Sequence, residues 1–260
     1  MPEPDRAPIA ALRSAHDLLA RLVDGIGPNT AGTMSYCSEW TIAQVLSHIG
    51  SGSEIGLEWL SAVLERREPI SQDEFPKIWN KWNERAPMEQ VTEGVKASAR
   101  LVEAYESASS EQLASGHVLL FGMLNLDGHG LALFRLPEHS VHTWDVAVAL
   151  DPSARVLPDT VELLVDQLAG RMGWMAKPQG RAWSVTVETS EPSRTFTLTS
   201  GDAVSLAPGG AGAPADGVLR LPAEAFIRLT FGRLDDTNAD GAEVSGDVTL
   251  DELRATFPGF

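Results

Sequence analysis

The run LFRLPEHSVHTWDVAVAL carries a glutamate and a histidine four residues apart, Glu138 and His142, among apolar residues that recur at helical spacing. On a helix turning about 100° per residue, those two side chains lie about 40° apart and one turn removed. Arg135 and Asp145 fall on the same side, all four within about 80° of arc, with Phe134, Val141 and Val148 immediately beside them. A polar stripe therefore borders an apolar one on a helix that should pack into a core. A carboxylate and an imidazole held there need partners, because an unpaired buried charge is strongly unfavourable. A divalent cation is one such partner, and Glu and His at i, i+4 can bind the same ion. We assign the third ligand to His48, in WTIAQVLSHI, which sits about 60° round the helix from Val45 at the edge of the apolar face. Two histidines and one carboxylate leave coordination positions open, as in catalytic rather than structural sites. Zinc is the favoured metal, and the same set also suits non-haem Fe(II). The competing reading makes Glu138 and His142 a surface helix pair and His48 a hydrogen-bonded core histidine.

The elements that must position these residues are mostly helical up to about residue 180. Ile9, Leu12, Leu19 and Leu22 predict a helix over 7–26, closed by Gly25 and Gly27. Thr41 with Gln44 three residues on predicts a capping box, opening a helix that runs to about Leu64. Its Gly50, Gly52 and Gly56 would weaken an isolated helix and point to close packing. Further helices are expected over 73–108, interrupted near Pro87, over 128–150, and over 158–176 behind Pro158. Pro137 lies inside the fourth of these and predicts a kink or a start there. Four or five helices with short connections make an antiparallel bundle. After Gly180 the period changes to two. Trp183, Val185 and Val187 alternate with polar residues, as do Phe196 and Leu198 after the turn EPSR. APGGAGAPADG reads as a surface loop, 218–221 as a strand, and 222–231 and 249–257 as helices. The expected organisation is an all-α bundle over residues 1–178 and a smaller α+β domain over 179–260.

The bulk properties narrow the partners. With 43% apolar and 22% charged residues, the 260-residue chain can bury a real core. A formal charge of -16 repels phosphate backbones and anionic lipid heads, so nucleic-acid and membrane binding are not expected. The sequence has no continuous apolar run of membrane-spanning length and no signal-like start, from which a cytoplasmic protein is expected. Cys37 is the single cysteine, so any metal must be held by histidine and carboxylate. We read Cys37 as a packed, unreactive thiol, and Trp40 and Trp144 as core residues near the site. Asp145 is balanced between orienting a ligand histidine and standing as a surface charge. His16, His117, His129 and His139 form no usable pattern.

CSEWTIAQVLSHI resembles the C-x-x-W-T-x-x-x-V-x-x-H signature of the mycothiol-dependent maleylpyruvate isomerase family. RLPEHSVHTWDVAVAL is similar to that family's R-x-x-E-x-x-x-H-x-W-D-x-x-x-A helix, and DGVLRLPAEAFIRLTFGRL with VSGDVTL resembles its accessory domain. The resemblance implies a DinB-like four-helix bundle followed by a domain similar to sterol carrier proteins. It implies that His48, Glu138 and His142 bind zinc, and that the low-molecular-weight thiol mycothiol is the cosubstrate. A zinc-bound thiol is deprotonated, and its thiolate can add to a small electrophile, giving either cis-trans isomerisation or S-conjugation. Arginine would hold a carboxylate-bearing substrate, with Arg233 the first candidate and Arg135 the second. Two other classes compete: a non-catalytic binding or regulatory module on the same bundle, and an Fe(II) oxygenase, which lacks the expected β pattern here.

Overall fold

The computed structural model describes residues 6–37, 39–209, 215–239 and 241–259. They form two compact units, Met1–Thr160 and Val161–Phe260. In the first, the helices are α1 (Ala7–Val23), α2 (Pro28–Ala31), α3 (Ile42–Glu65), α4 (Phe75–Asn83), α5 (Pro87–Ser107), α6 (Ser110–Leu113) and α7 (Gly128–Leu150). A hairpin of β1 (Val118–Leu120) and β2 (Leu124–Leu126) precedes α7. Helix α8 (Pro158–Leu164) spans the division. The second unit adds α9 (Met172–Met175), α10 (Ala223–Thr230), α11 (Leu250–Thr256) and five strands: β3 (Trp183–Ser190), β4 (Arg194–Ser200), β5 (Val204–Pro208), β6 (Gly217–Pro222) and β7 (Glu243–Gly246). No helix among the described residues is long and apolar enough to cross a membrane.

Helix α3 begins where its sequence says. Thr41 Oγ1 accepts from the Gln44 amide at 3.3 Å, and Gln44 Oε1 accepts from the Thr41 amide at 2.8 Å, satisfying donors that the first turn would otherwise leave unmet. Its Val45, Leu46, Ile49, Leu60 and Val63 are fully buried, each larger side chain contributing about 2 kcal/mol of apolar burial. Helix α3 packs on α5 and α7, and α1 packs on the same two helices. The glycines explain how closely. A Cβ on Gly50 would stand 2.2 Å from the Trp82 ring, and one on Gly52 2.6 Å from the Arg135 guanidinium. Gly94 of α5 faces the Leu46 carbonyl of α3, where a Cβ would approach to 2.4 Å.

Pro137 neither starts nor ends a helix: α7 runs through it, from Gly128 to Leu150. The proline only deprives the carbonyl four residues earlier of its usual donor, and the packed surroundings hold the helix on either side. Asp127 caps its start, accepting from the Gly130 amide at 2.7 Å. The first helix ends at Val23 rather than 26, and the region 73–108 divides into a 3₁₀ turn, α4 and α5.

In the second unit the sheet order is β5-β4-β3-β6-β7, with β3 and β6 parallel and the other pairs antiparallel. Trp183, Val185 and Val187 point inward, as the alternation predicts. Strands β5 and β7 are additions to the sequence reading. Residues 161–178, which the sequence groups with the helical domain, fall in the second unit. The stretch 158–176 is α8, a 3₁₀ segment over Val165–Arg171, then α9. Val165, Leu168, Met172 and Met175 are buried, and the 3₁₀ segment packs on α10 and β5. Within the expected loop over 207–217, residues 210–214 lie outside the described set.

Candidate metal centre

Helices α3 and α7 place His48, Glu138 and His142 together. Glu138 Oε2 lies 3.4 Å from His48 Nε2 and 3.8 Å from His142 Nε2. The two imidazoles meet edge to face, with ring centroids 4.6 Å apart. All three ligand atoms fall within 4.8 Å of one another. These separations are longer than good N–H···O hydrogen bonds, which cluster near 2.9 Å. They suit a shared cation: metal bonds of about 2.0–2.2 Å in tetrahedral geometry place donor atoms about 3.3–3.6 Å apart. The donor set of two neutral nitrogens and one carboxylate fits zinc, and it also fits Fe(II).

The electrostatics favour the ligand forms. Burial is the largest influence on His48 and lowers its pKa. Glu138 opposes that shift, but burial, aided by the neighbouring His142 and Arg135, outweighs it, so His48 is neutral near pH 7. Burial pushes Glu138 up, but its close contact with His48 and the electrostatic pull of His142, His48 and Arg135 outweigh it and hold the carboxyl well below its ordinary value. Glu138 and His48 keep 40% and 32% of their side chains exposed, so the centre opens to solvent on their side while His142 lies deeper.

Around the ligands, Trp40 forms a wall, its ring centroid 5.1 Å from that of His48 and 6.0 Å from that of His142. His142 Nδ1 lies 2.8 Å from Asp145 Oδ2, and Cys37 Sγ lies 3.0 Å from the same oxygen. Asp145 is therefore an interior residue beside the centre, and Cys37 is engaged with it. Arg135 is buried against α3, its Nη2 donating to the Ile49 carbonyl at 3.1 Å while its Nε has no acceptor. Arg233 lies in the second unit just past α10, buried, with Nη1 donating to the Phe231 carbonyl at 2.6 Å.

Two features escaped the sequence reading. His16 and His139 share Ser98: its Oγ lies 3.0 Å from His16 Nδ1 and 2.6 Å from His139 Nε2, all within the interior. A cleft of about 480 Å³ also opens beside the hairpin, lined by Trp59, Ile70, Phe75, Leu119 and Phe121. None of the three ligand residues lines it. No spacing rule could reveal either feature, since each joins residues far apart in the chain.

The chain thus combines a helical unit, which carries a candidate two-histidine, one-carboxylate centre, with a second unit built on a five-stranded sheet. Residues 12–147 match the family model for the mycothiol maleylpyruvate isomerase N-terminal domain, so the chain belongs to the mycothiol-dependent maleylpyruvate isomerase family. A crystal structure of the mycothiol-dependent maleylpyruvate isomerase is similar over 95% of both chains, with a TM-score of 0.70 at 15% identity. A histidine-to-alanine variant of that enzyme gives a TM-score of 0.68 at 16% identity, again covering 95% of each chain. A comparison with curated proteins finds no match.

Proposed function

We propose that this protein is a zinc-dependent enzyme that uses mycothiol to transform a small electrophile. The observation that carries this reading is the convergence of one ligand atom each from His48, Glu138 and His142 within 4.8 Å, with Glu138 Oε2 3.4 and 3.8 Å from the two Nε2 atoms, near the spacing of donors around one metal ion. The four long helices α1, α3, α5 and α7 are read as a DinB-like four-helix bundle, with a sterol-carrier-like accessory domain after it.

Bound zinc would supply Lewis acidity, deprotonating a thiol whose free pKa is near 8.5. His48, Glu138 and His142 would hold the ion while leaving positions for the thiol. Trp40 shields the two imidazoles on one side. Sulfur addition to an electron-poor cis double bond leaves a single bond; rotation and elimination then return the thiol and the trans isomer. If elimination does not follow and the carbanion is protonated instead, the product is a thioether conjugate. Arg233 is assigned the substrate carboxylate. Arg135 is the second candidate; like Arg233 it is buried and donates to a backbone carbonyl, here that of Ile49.

Elemental analysis of wild type and His142→Ala, prepared side by side, tests the centre. We expect about one zinc per wild-type chain and its loss in the variant. Mass spectrometry of mycothiol incubations with cis-alkenes then separates isomerised product from stable thioether. Wild-type protein that takes up no zinc on reconstitution would leave a helical binding module as the better account.

A further inference from the structure

Asp145 stands three residues beyond His142 on α7 and is wholly buried. Its Oδ2 meets two groups at hydrogen-bond distance, His142 Nδ1 at 2.8 Å and Cys37 Sγ at 3.0 Å. Cys37, Asp145 and His142 could also be read as a second metal triad. The distances argue against that: donors around a zinc ion stand about 3.3 Å apart or more, and farther when one is sulfur. Separations of 2.8 and 3.0 Å are those of hydrogen bonds.

An ionised carboxylate can only accept, so the imidazole must carry its proton on Nδ1 to meet it. The lone pair then lies on Nε2, the atom that faces Glu138. The loop bearing Cys37 is fastened at the same place. The Tyr36 amide donates to the Asp145 carbonyl at 3.1 Å, and the Tyr36 ring packs on Trp144 at 4.9 Å. The Cys37 thiol donates to the oxygen that receives His142, so loop and imidazole are tied to one atom.

We propose that Asp145 is the positioning residue of the centre, selecting the Nδ1–H form of His142 and aiming Nε2 at the ion, and that Cys37 serves as the donor that holds Asp145 in place. The part of this that concerns the ion rests on the metal reading above; the part that concerns the proton on His142 does not. Cys37 is then neither ligand nor nucleophile, since its role requires it to keep its proton.

The test combines two readouts on full-length protein. Two-bond ¹H–¹⁵N correlation spectra of metal-free wild type should show His142 protonated on Nδ1, and Asp145→Leu, which removes the acceptor, should release the proton to Nε2. Competition with a chromogenic chelator should show zinc binding weakened about 10- to 100-fold in Asp145→Leu. Cys37→Ser, which keeps a donor, should stay within a few-fold of wild type, while Cys37→Ala should weaken binding further. An Nε2–H His142 in wild type overturns the proposal whether or not any variant folds. So does a folded Asp145→Leu that binds zinc as wild type does. Wild type that binds no zinc but shows the Nδ1–H form would remove the metal reading and leave the assignment of the proton standing.

Discussion

His16 sits in α1, buried, and that burial lowers its pKa from the ordinary 6.5, with Arg13 acting in the same direction. Asp17, Glu103 and Glu106 oppose that shift without reversing it. Across Ser98, His139 is lowered further still by burial and by Arg135, His16 and His142. Both rings are thus neutral in the folded protein at neutral pH, and Thr143 closes the network with its hydroxyl 3.3 Å from His139 Nδ1. The unfolded chain binds protons near pH 6.5 that the folded chain refuses, so stability should fall as pH drops below that value and until the folded-state pKa values are passed. Urea midpoints at pH 8.0 and 5.5 will measure the loss. His16→Asn, which can still meet Ser98 but does not titrate, should show a smaller loss. Equal pH dependence in the variant would mean that His16 makes no contribution to it.

Helix α3 approaches its neighbours through glycine, and this reverses an ordinary expectation. At an exposed helix position Gly→Ala stabilises by up to about 1 kcal/mol. At Gly94 the new methyl would meet the Leu46 carbonyl, a backbone atom that cannot turn aside. We expect Gly94→Ala to destabilise by about 1–3 kcal/mol in urea denaturation, through overpacking between α5 and α3. A stabilised variant would show that the two helices do not lie this close. Gly52 differs in kind, because what its Cβ would meet is the end of the flexible Arg135 side chain. Much at this scale was legible beforehand. Thr41 and Gln44 announce the start of α3, and the helical period of 134–148 places Glu138, His142 and Asp145 on one stripe. The hairpin of β1 and β2 was not, since three-residue strands are too short to show alternation. The 3₁₀ segment over Val165–Arg171 shares its apolar spacing with an α-helix, which hides it equally well.

For the whole molecule, periodicity reveals that a segment is helical but not which body it packs against: the helical pattern extends the first domain to 178, while the contacts divide the chain after Thr160. The same limit applied to the centre. Its three candidate ligands could be picked out because two share a helix and the third occupies a distinct sequence pattern, and the structure brings them together, whereas the contact of Cys37 with Asp145 spans 108 residues of chain. Asp145 lay on the right stripe, yet only its burial distinguishes an interior acceptor from a surface charge. The division between units also sorts the tryptophans. Five of the seven, Trp40, Trp59, Trp79, Trp82 and Trp144, belong to the first unit, and Trp174 and Trp183 to the second. The indole of Trp40 lies against both imidazoles, and a ring so placed responds to any change in their charge. The protein therefore contains its own optical gauge: zinc added to metal-free chains should alter the intrinsic emission, and Trp40→Phe should abolish that change while leaving zinc uptake intact. Loading of the centre could then be followed in real time, without a label and without knowledge of the substrate.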